Sequence, residues 1–250
     1  MNRAELKRKR INTILNSAEQ AIVDHGLFSL SLLELARQAN CPVNTLYNYF
    51  SSREDIAVAL FNRIIGKWGV KASQEIALEP GSFAERFVAM QLIWVYRARL
   101  SMDPGGIQFL AAMPCVWKHA SHQRIATTRR LLDSWYQLNC DFLVCARERG
   151  ELRANDEAIH HCLNLVTCLE RGFSLFSNNY SFRDEMMQMP MERVLDSMLP
   201  ILAQLNWSES LERLDRDRVL TICQRVNEEL AKFEVDDLIE RTEAALEQGA

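Results

Sequence analysis

Between Pro42 and Tyr49 the chain gathers side chains that hydrogen-bond well and pack badly: PVNTLYNY holds two carboxamides, a hydroxyl and two phenols around one leucine. Amides, hydroxyls and phenols at helical spacing can meet base edges and phosphate oxygens in the major groove of DNA. Packing cannot use all of them. Tyr47 and Tyr49 are two positions apart, about 200° around a helix, so at least one faces outward. Leu46 and Phe50, four apart, share the inward face, which leaves Val43, Asn44, Thr45, Tyr47, Asn48 and Tyr49 with little to pack against locally. Asn44 and Thr45 fall in the first turn, where a reading helix meets bases, and Tyr47 and Asn48 point to phosphate and base edge. Arg3, Lys7, Arg8, Lys9 and Arg10 form a basic arm whose Lys9 is a candidate phosphate contact.

Other reactive side chains do not assemble into a site. No G-x-S-x-G, H-E-x-x-H, G-x-G-x-x-G or phosphate-binding loop occurs, so no catalytic residue, cofactor or enzymatic activity is expected. His119 and His122 are three apart, and His160 and His161 adjoin Cys162 and Glu157, but spacing supplies no third ligand. These read as polar helix residues, with no metal. The 7 cysteines are odd in number, form no C-x-x-C and sit mostly in apolar helical runs, as reduced core thiols of a cytosolic protein would.

The elements that must position the reader follow from periodicity. Leu32, Leu35, Ala36 and Ala39 mark one buried face of a helix from about Leu32 to Ala39, with Ser31 at the N-cap. Asn40 tolerates a left-handed corner, and Pro42 suits the first turn of the next helix. Upstream, Ile11, Ile14, Leu15, Ala18 and Ile22 form an amphipathic helix that His25-Gly26 ends. Downstream, Ser51 or Ser52 caps a fourth helix that begins near Arg53 and links to the rest of the chain as far as Glu79-Pro80-Gly81-Ser82.

The run Ala39-Asn40-Cys41-Pro42-Val43-Asn44-Thr45-Leu46-Tyr47-Asn48-Tyr49-Phe50-Ser51-Ser52-Arg53-Glu54 resembles the helix-turn-helix signature of the TetR family of bacterial transcriptional regulators, A-G-V-S-x-G-T-L-Y-x-Y-F-x-S-K-E. Gly26 and Ser31-Leu32-Leu33-Glu34-Leu35-Ala36 extend the likeness over about the first 65 residues. Asn40 stands for the corner glycine. Pro42 stands for the capping serine, which removes a side-chain cap of ~1 kcal/mol. The resemblance implies a DNA-binding head, with Ser31 and Arg53 on the DNA backbone either side of the reader. It also implies a helical body that forms a homodimer through a pair of helices per subunit and holds an apolar small-molecule effector, and a repressor acting on a palindromic operator.

Bulk properties agree with that division. The 250 residues are 48% hydrophobic with only 9 Gly and 6 Pro, which suits an all-α chain of long helices. Residues 1–71 hold 10 Lys/Arg against 6 Asp/Glu, a net +4, which leaves −8 for the rest of a chain whose total is −4. A basic head on an acidic body directs phosphate to the head alone. No run approaches a membrane span, so the protein is expected in the cytoplasm. The boundaries predicted are a head over 1–52, a ligand and dimerisation body over 53–206 and an extra helical segment over 207–250.

Within the body, helices are predicted from Phe83 to Met102, Ile107 to about Lys118 with Pro114 kinking or splitting it, Ser121 to Gly150, Glu157 to Asn178 and Arg183 to Asn206. The last two occupy the place of the dimer interface in the family resembled. Trp94, Phe109, Met113, Trp117, Trp135, Phe142 and Phe173 are mostly core by type, yet apolar ligands are held by such residues, and they are the candidate ligand lining. The other functional class open to this sequence is a constitutive DNA-binding adaptor whose body holds a protein partner.

Overall fold

The computed structural model describes residues 3–100, 107, 113–177, 190–209 and 211–248. Phe109, the Asp103–Gly106 breaker and the predicted helix starts near Ile107 and Arg183 fall wholly or largely outside them. The described chain is helical. Its only extended pairing is an isolated antiparallel bridge between Leu152 and Trp207. It divides into two compact units, one made of residues 1–66, 102–132 and 234–250, the other of 67–101 and 133–233.

In the first unit α1 (Arg3–His25), α2 (Leu32–Gln38), α3 (Val43–Tyr47) and α4 (Arg53–Ile64) close around Ile14, Leu15, Ala18, Ile22, Leu35, Leu46, Ile56 and Phe50, all buried. Gly26 at φ 78° ends α1 in the left-handed conformation that glycine adopts without a Cβ penalty. Asn40 takes φ 48° at the α2–α3 corner, the conformation its type tolerates. Pro42 lies just outside the helix rather than in its first turn: at φ −59° and ψ 140° it is the N-cap of α3, without a side-chain cap bond. α7 (Pro114–Trp117) packs on α4. Pro114 splits the predicted helix and starts α7, because its ring fits where no amide hydrogen is needed.

The linking helix is not uniformly α. After Ile64 it loosens into a π-helical stretch, Ile65–Lys71, before α5 (Ala72–Leu78), and the unit boundary falls inside that stretch. Periodicity does not reveal one inserted residue in a mostly buried run.

The second unit is built on α6 (Phe83–Leu100), whose residues from Phe87 to Val95 are all buried. Helices α5, α9 (Asp156–Ser177), α10 (Met191–Leu202) and α11 (Arg216–Ala231) pack on it. The long α8 (His122–Glu148) crosses the unit boundary at residues 132 and 133. Pro190 caps α10 instead of lying within it, while Pro200 is tolerated inside, and Asn206 at φ 53° turns the chain out. The stretch after residue 206 does not stay together. Val219, Ile222, Cys223, Val226 and Leu230 of α11 are buried in the second unit, whereas α12 (Asp236–Gln248) belongs to the first and packs on α4.

Candidate nucleic-acid interface

α3 is five residues long, and one side of it is spent on the core. Leu46 and the following Phe50 are fully buried, and the Phe50 and Tyr49 amides close onto the Leu46 carbonyl at 2.9 Å each. What remains faces outward: Pro42, Asn44, Tyr47 and Asn48 are exposed, and Val43, Thr45 and Tyr49 are half-buried. Of the two tyrosines it is Tyr47, 53% exposed, that projects. A helix this short has little cooperative stability of its own, so its placement is set by the elements beneath it.

Three of those elements can be traced atom by atom. Ser31 caps α2, its Oγ accepting from the Glu34 amide at 3.4 Å, which leaves its hydroxyl hydrogen available for an outside acceptor. Glu34 accepts from Arg37 at 2.8 Å and from Gln38 at 3.3 Å, and the Arg37 bond holds its carboxyl below the ordinary carboxylate range. At the other end, Ser52 accepts from the Asp55 amide at 3.0 Å and donates to the His119 carbonyl at 2.7 Å. Asp55, 2% exposed, accepts from the Ser51 amide at 3.2 Å and from the Ser121 amide and hydroxyl at 2.9 and 2.8 Å. A buried carboxylate so supplied with donors is stable in its site, and it ties the exit of the reader to the start of α8.

Arg53 does not stand clear as a phosphate ligand. Its Nε pairs with Glu54 at 3.1 Å and its Nη1 donates to the Phe28 carbonyl at 3.2 Å, with the side chain 42% exposed, so it also staples α4 to the turn before α2. Lys9 is exposed on α1. The frame holds a second fixture that periodicity does not reveal. Arg63 on α4 reaches Asn16 at 2.8 Å and Asn12 at 3.2 Å on α1, and Asp236 on α12 at 2.9 Å. The Ser52-x-x-Asp55 spacing is a capping-box pattern visible in the sequence. The partners of Asp55 and Arg63, 66 and 173 residues away, are not.

The candidate ligand residues are dispersed. Trp94 and Trp135 meet edge to face at 6.2 Å, and Arg171 lies 5.4 Å from the Trp94 ring centre. Phe142 stacks instead with Phe83 and Phe87, at 5.0 and 6.4 Å. Phe173 is half-buried on α9. Met113 and Trp117 belong to the first unit, and Trp94, Trp135, Phe142 and Phe173 to the second. Beside the tryptophans, Gln91 donates to Asn139 at 2.8 Å, and Asn139 to the Trp135 carbonyl at 2.8 Å. The indole nitrogens of Trp94 and Trp135, the Gln91 carbonyl and one oxygen of Glu170 are buried and have no hydrogen-bond partner among the described residues. Burial raises the Glu170 carboxyl well above its ordinary value, Arg171 opposing the shift only in part.

Among the described residues no group of three or more His, Cys, Asp or Glu is placed to hold a metal. His160 is engaged by Tyr136, whose hydroxyl lies 2.7 Å from Nδ1. All 7 cysteines are free thiols, but Cys115 and Cys168 are exposed where the sequence suggested core, and burial pushes the Cys162 thiol up to about 12. No helix among the described residues is long and apolar enough to cross a membrane.

Residues 14–60 match the family described as "Bacterial regulatory proteins, tetR family". The fatty acid metabolism regulator protein of Bacillus subtilis (strain 168) is 29% identical over 70 residues, a match taking in 28% of this chain and 36% of that protein. Two solved structures share the fold over most of the chain. The transcriptional regulator FadR from Bacillus subtilis, in complex with stearoyl-CoA, superposes at TM-score 0.54 and 15% identity, covering 77% of this chain and 96% of its own. RolR in complex with resorcinol superposes at TM-score 0.50 and 17% identity, covering 89% and 97%.

Proposed function

We propose that this chain, which carries the helix-turn-helix region of the bacterial TetR regulatory family, is a cytoplasmic transcriptional regulator that binds a palindromic operator as a homodimer and releases it in response to a small ligand. The observation that carries the DNA-binding reading is the outward face of α3, where Asn44, Tyr47 and Asn48 are exposed over the buried Leu46 and Phe50. Asn44 is the residue type for bidentate recognition of adenine, and Thr45 beside it suits a base edge or thymine methyl. Ser31 and Lys9 take the phosphates that set register, Arg53 joining them only on exchange of its Glu54 and Phe28 contacts, with Pro42, Val43 and Tyr49 completing the surface against the groove wall. One helix of five residues makes too few contacts for strong specificity, so two heads act together, and a two-fold dimer requires a palindrome.

The ligand reading rests on the second unit. Each buried polar group left without a partner costs about 1–3 kcal/mol, and the Trp94 and Trp135 indoles, Gln91 and Glu170 offer four such atoms among α6, α8 and α9. A ligand that supplies an acceptor to the indoles and a donor to Gln91, with a flat or aliphatic body against the rings, answers that deficit. The ligands in the FadR and RolR structures, a long acyl thioester and a small phenol, both combine apolar surface with oxygen atoms.

Selection of genomic fragments bound by the purified full chain tests the proposal. The expected result is enrichment of an inverted repeat, released by an oxygen-bearing apolar metabolite. Recovery of fragments with no common motif would count against it.

A further inference from the structure

The C-terminal helix α12 belongs to the first unit, alongside α1, α3 and α4, although about 170 residues of sequence separate it from them. Its carboxylates meet arginines of the head frame one by one. Asp236 grips Arg63 with both oxygens, at 2.9 and 3.2 Å, while that guanidinium also binds Asn12 and Asn16 of α1. Glu243 binds Arg124, at the start of α8, at 3.1 Å. In both pairs the side chains are at most 22% exposed. Asp237 and, at 3.9 Å, Glu240 pair with Arg8, a member of the basic arm, in a more open setting of 40–59% exposure.

Apolar contact adds to the seat at one end. A Cβ on buried Gly66 would come within 2.9 Å of Val235, so the chain entering α12 is pressed against the start of the π-helical stretch where glycine leaves room. Along the rest a cleft of about 240 Å³, floored by Ile11, Leu15 and Ile239, remains beside α1. Charge therefore carries much of the docking. Acidic groups in a unit that must approach phosphate repel it unless they are matched, and here Asp236, Asp237, Glu240 and Glu243 are matched to cations of the frame.

We infer that α12 is a working part of the DNA-binding unit and sets its specificity. Asp236 and Glu243 are positioning residues that act through Arg63 and Arg124 to fix α1 against α4, and so the reading helix between them. Asp237 and Glu240 hold Arg8, so that this cation is withheld from non-specific phosphate contact. The inference rests on the DNA-binding reading above and goes beyond it, since no residue of α12 lies in the helix-turn-helix.

Two double variants of the full chain separate the roles, each titrated against the selected operator and a random duplex between about 50 and about 200 mM salt. Asp237→Asn with Glu240→Gln changes only open side chains. It should strengthen binding to the random duplex and steepen the salt dependence of log K by about 1, one phosphate contact, while the operator gains less. Asp236→Asn with Glu243→Gln should lower operator affinity by about threefold to thirtyfold and leave random-duplex affinity at the wild-type level. Both variants therefore lower the operator-to-random ratio. Circular dichroism checks folding; if the second variant is unfolded, the first alone decides. A wild-type ratio in a folded variant overturns the inference and leaves the DNA-binding reading intact. A wild-type protein without any operator preference overturns that reading and the inference with it.

Discussion

Asn44 and Lys9 represent two kinds of contact that binding measurements can separate. A carboxamide at the first turn of α3 discriminates between bases, so Asn44→Ala should cost about 1–3 kcal/mol on the operator and little on random duplex. Thr45→Ala, half-buried in the frame, should relax the neighbouring position by less. Lys9 is an exposed cation on α1, and Lys9→Ala should weaken all duplexes alike and flatten the salt dependence of log K by about 1. Anisotropy titrations on both duplexes check this, and equal losses from the two variants would contradict the assignment. Glu170 is a residue-scale test of a different kind. Its carboxyl is raised well above the ordinary value of 4.5 by burial, so the folded state binds a proton that the unfolded state releases. Stability is then full below about pH 4.5 and declines as pH rises from there toward the folded value, by at most about 1.4 kcal/mol per pH unit for one proton. Glu170→Gln should remove that decline in denaturation midpoints measured across pH. A variant with the wild-type slope would mean the carboxyl is ionised in the folded protein.

At the scale of elements, the placement of α3 depends on the capped start of α4 more than on any contact α3 makes itself. Asp55 gathers Ser51 and Ser121 donors into one buried carboxylate, and Ser52 ties the same corner to the His119 carbonyl. Asp55→Ala takes the shared acceptor from three donors at a part-buried corner, and hydrogen bonds to a charged group contribute about 1.5–3 kcal/mol each. A loss of about 3 kcal/mol or more in urea unfolding is expected, with operator affinity falling further than Asn44→Ala makes it fall, because the whole reader shifts. Retention of both stability and affinity would show that the corner is held by other means. The π-helical stretch Ile65–Lys71 has its own place in this scale: it lies where one compact unit gives way to the other, in the helix that joins them.

For the whole molecule, the dimer proposal can be tested on α9 and α10 once their inward and outward faces are known. Leu195 is fully buried within its own chain, so a charge there reports on folding and not on association. Leu169 is half-buried on the flank of α9, about 80° around the helix from the exposed His161. Leu169→Asp should therefore give a folded monomer in sedimentation with operator affinity greatly reduced, whereas Leu195→Asp should unfold the second unit. The wild type should protect a symmetric site spanning two half-sites about one helical turn, 34–36 Å, apart. A folded wild-type monomer that protects one asymmetric half-site would sink the dimer proposal.

Local chemistry in the sequence determines the helical class, the head and its outward face. The period of Ile14, Leu15, Ala18 and Ile22, the cap at Ser31, the left-handed corner at Asn40 and the mismatch between Leu46 and its polar neighbours all act within a few residues, so no distant contact is needed to read them. The same locality explains what is wrong or missing in that reading. Pro42 and Pro190 lie just outside α3 and α10 as their N-caps and Pro114 opens α7, because where a proline falls relative to a helix end depends on where the preceding chain is held. The π-helical insertion leaves no mark in the sequence, because the run Ile65–Lys71 is mostly buried and no position in it signals an added residue. The ligand candidates share residue types but not a place, and only packing separates Trp94 and Trp135 from the Phe83–Phe87–Phe142 cluster. The tail shows the limit most plainly. Periodicity predicts helices after residue 206, yet α11 completes the core around α6 while α12 sits with the head, and that division was made by Arg63, Arg124 and Gly66 meeting partners more than 100 residues away. Ion pairs and close packing between segments so distant in sequence are properties of the folded chain, and no window of sequence contains them.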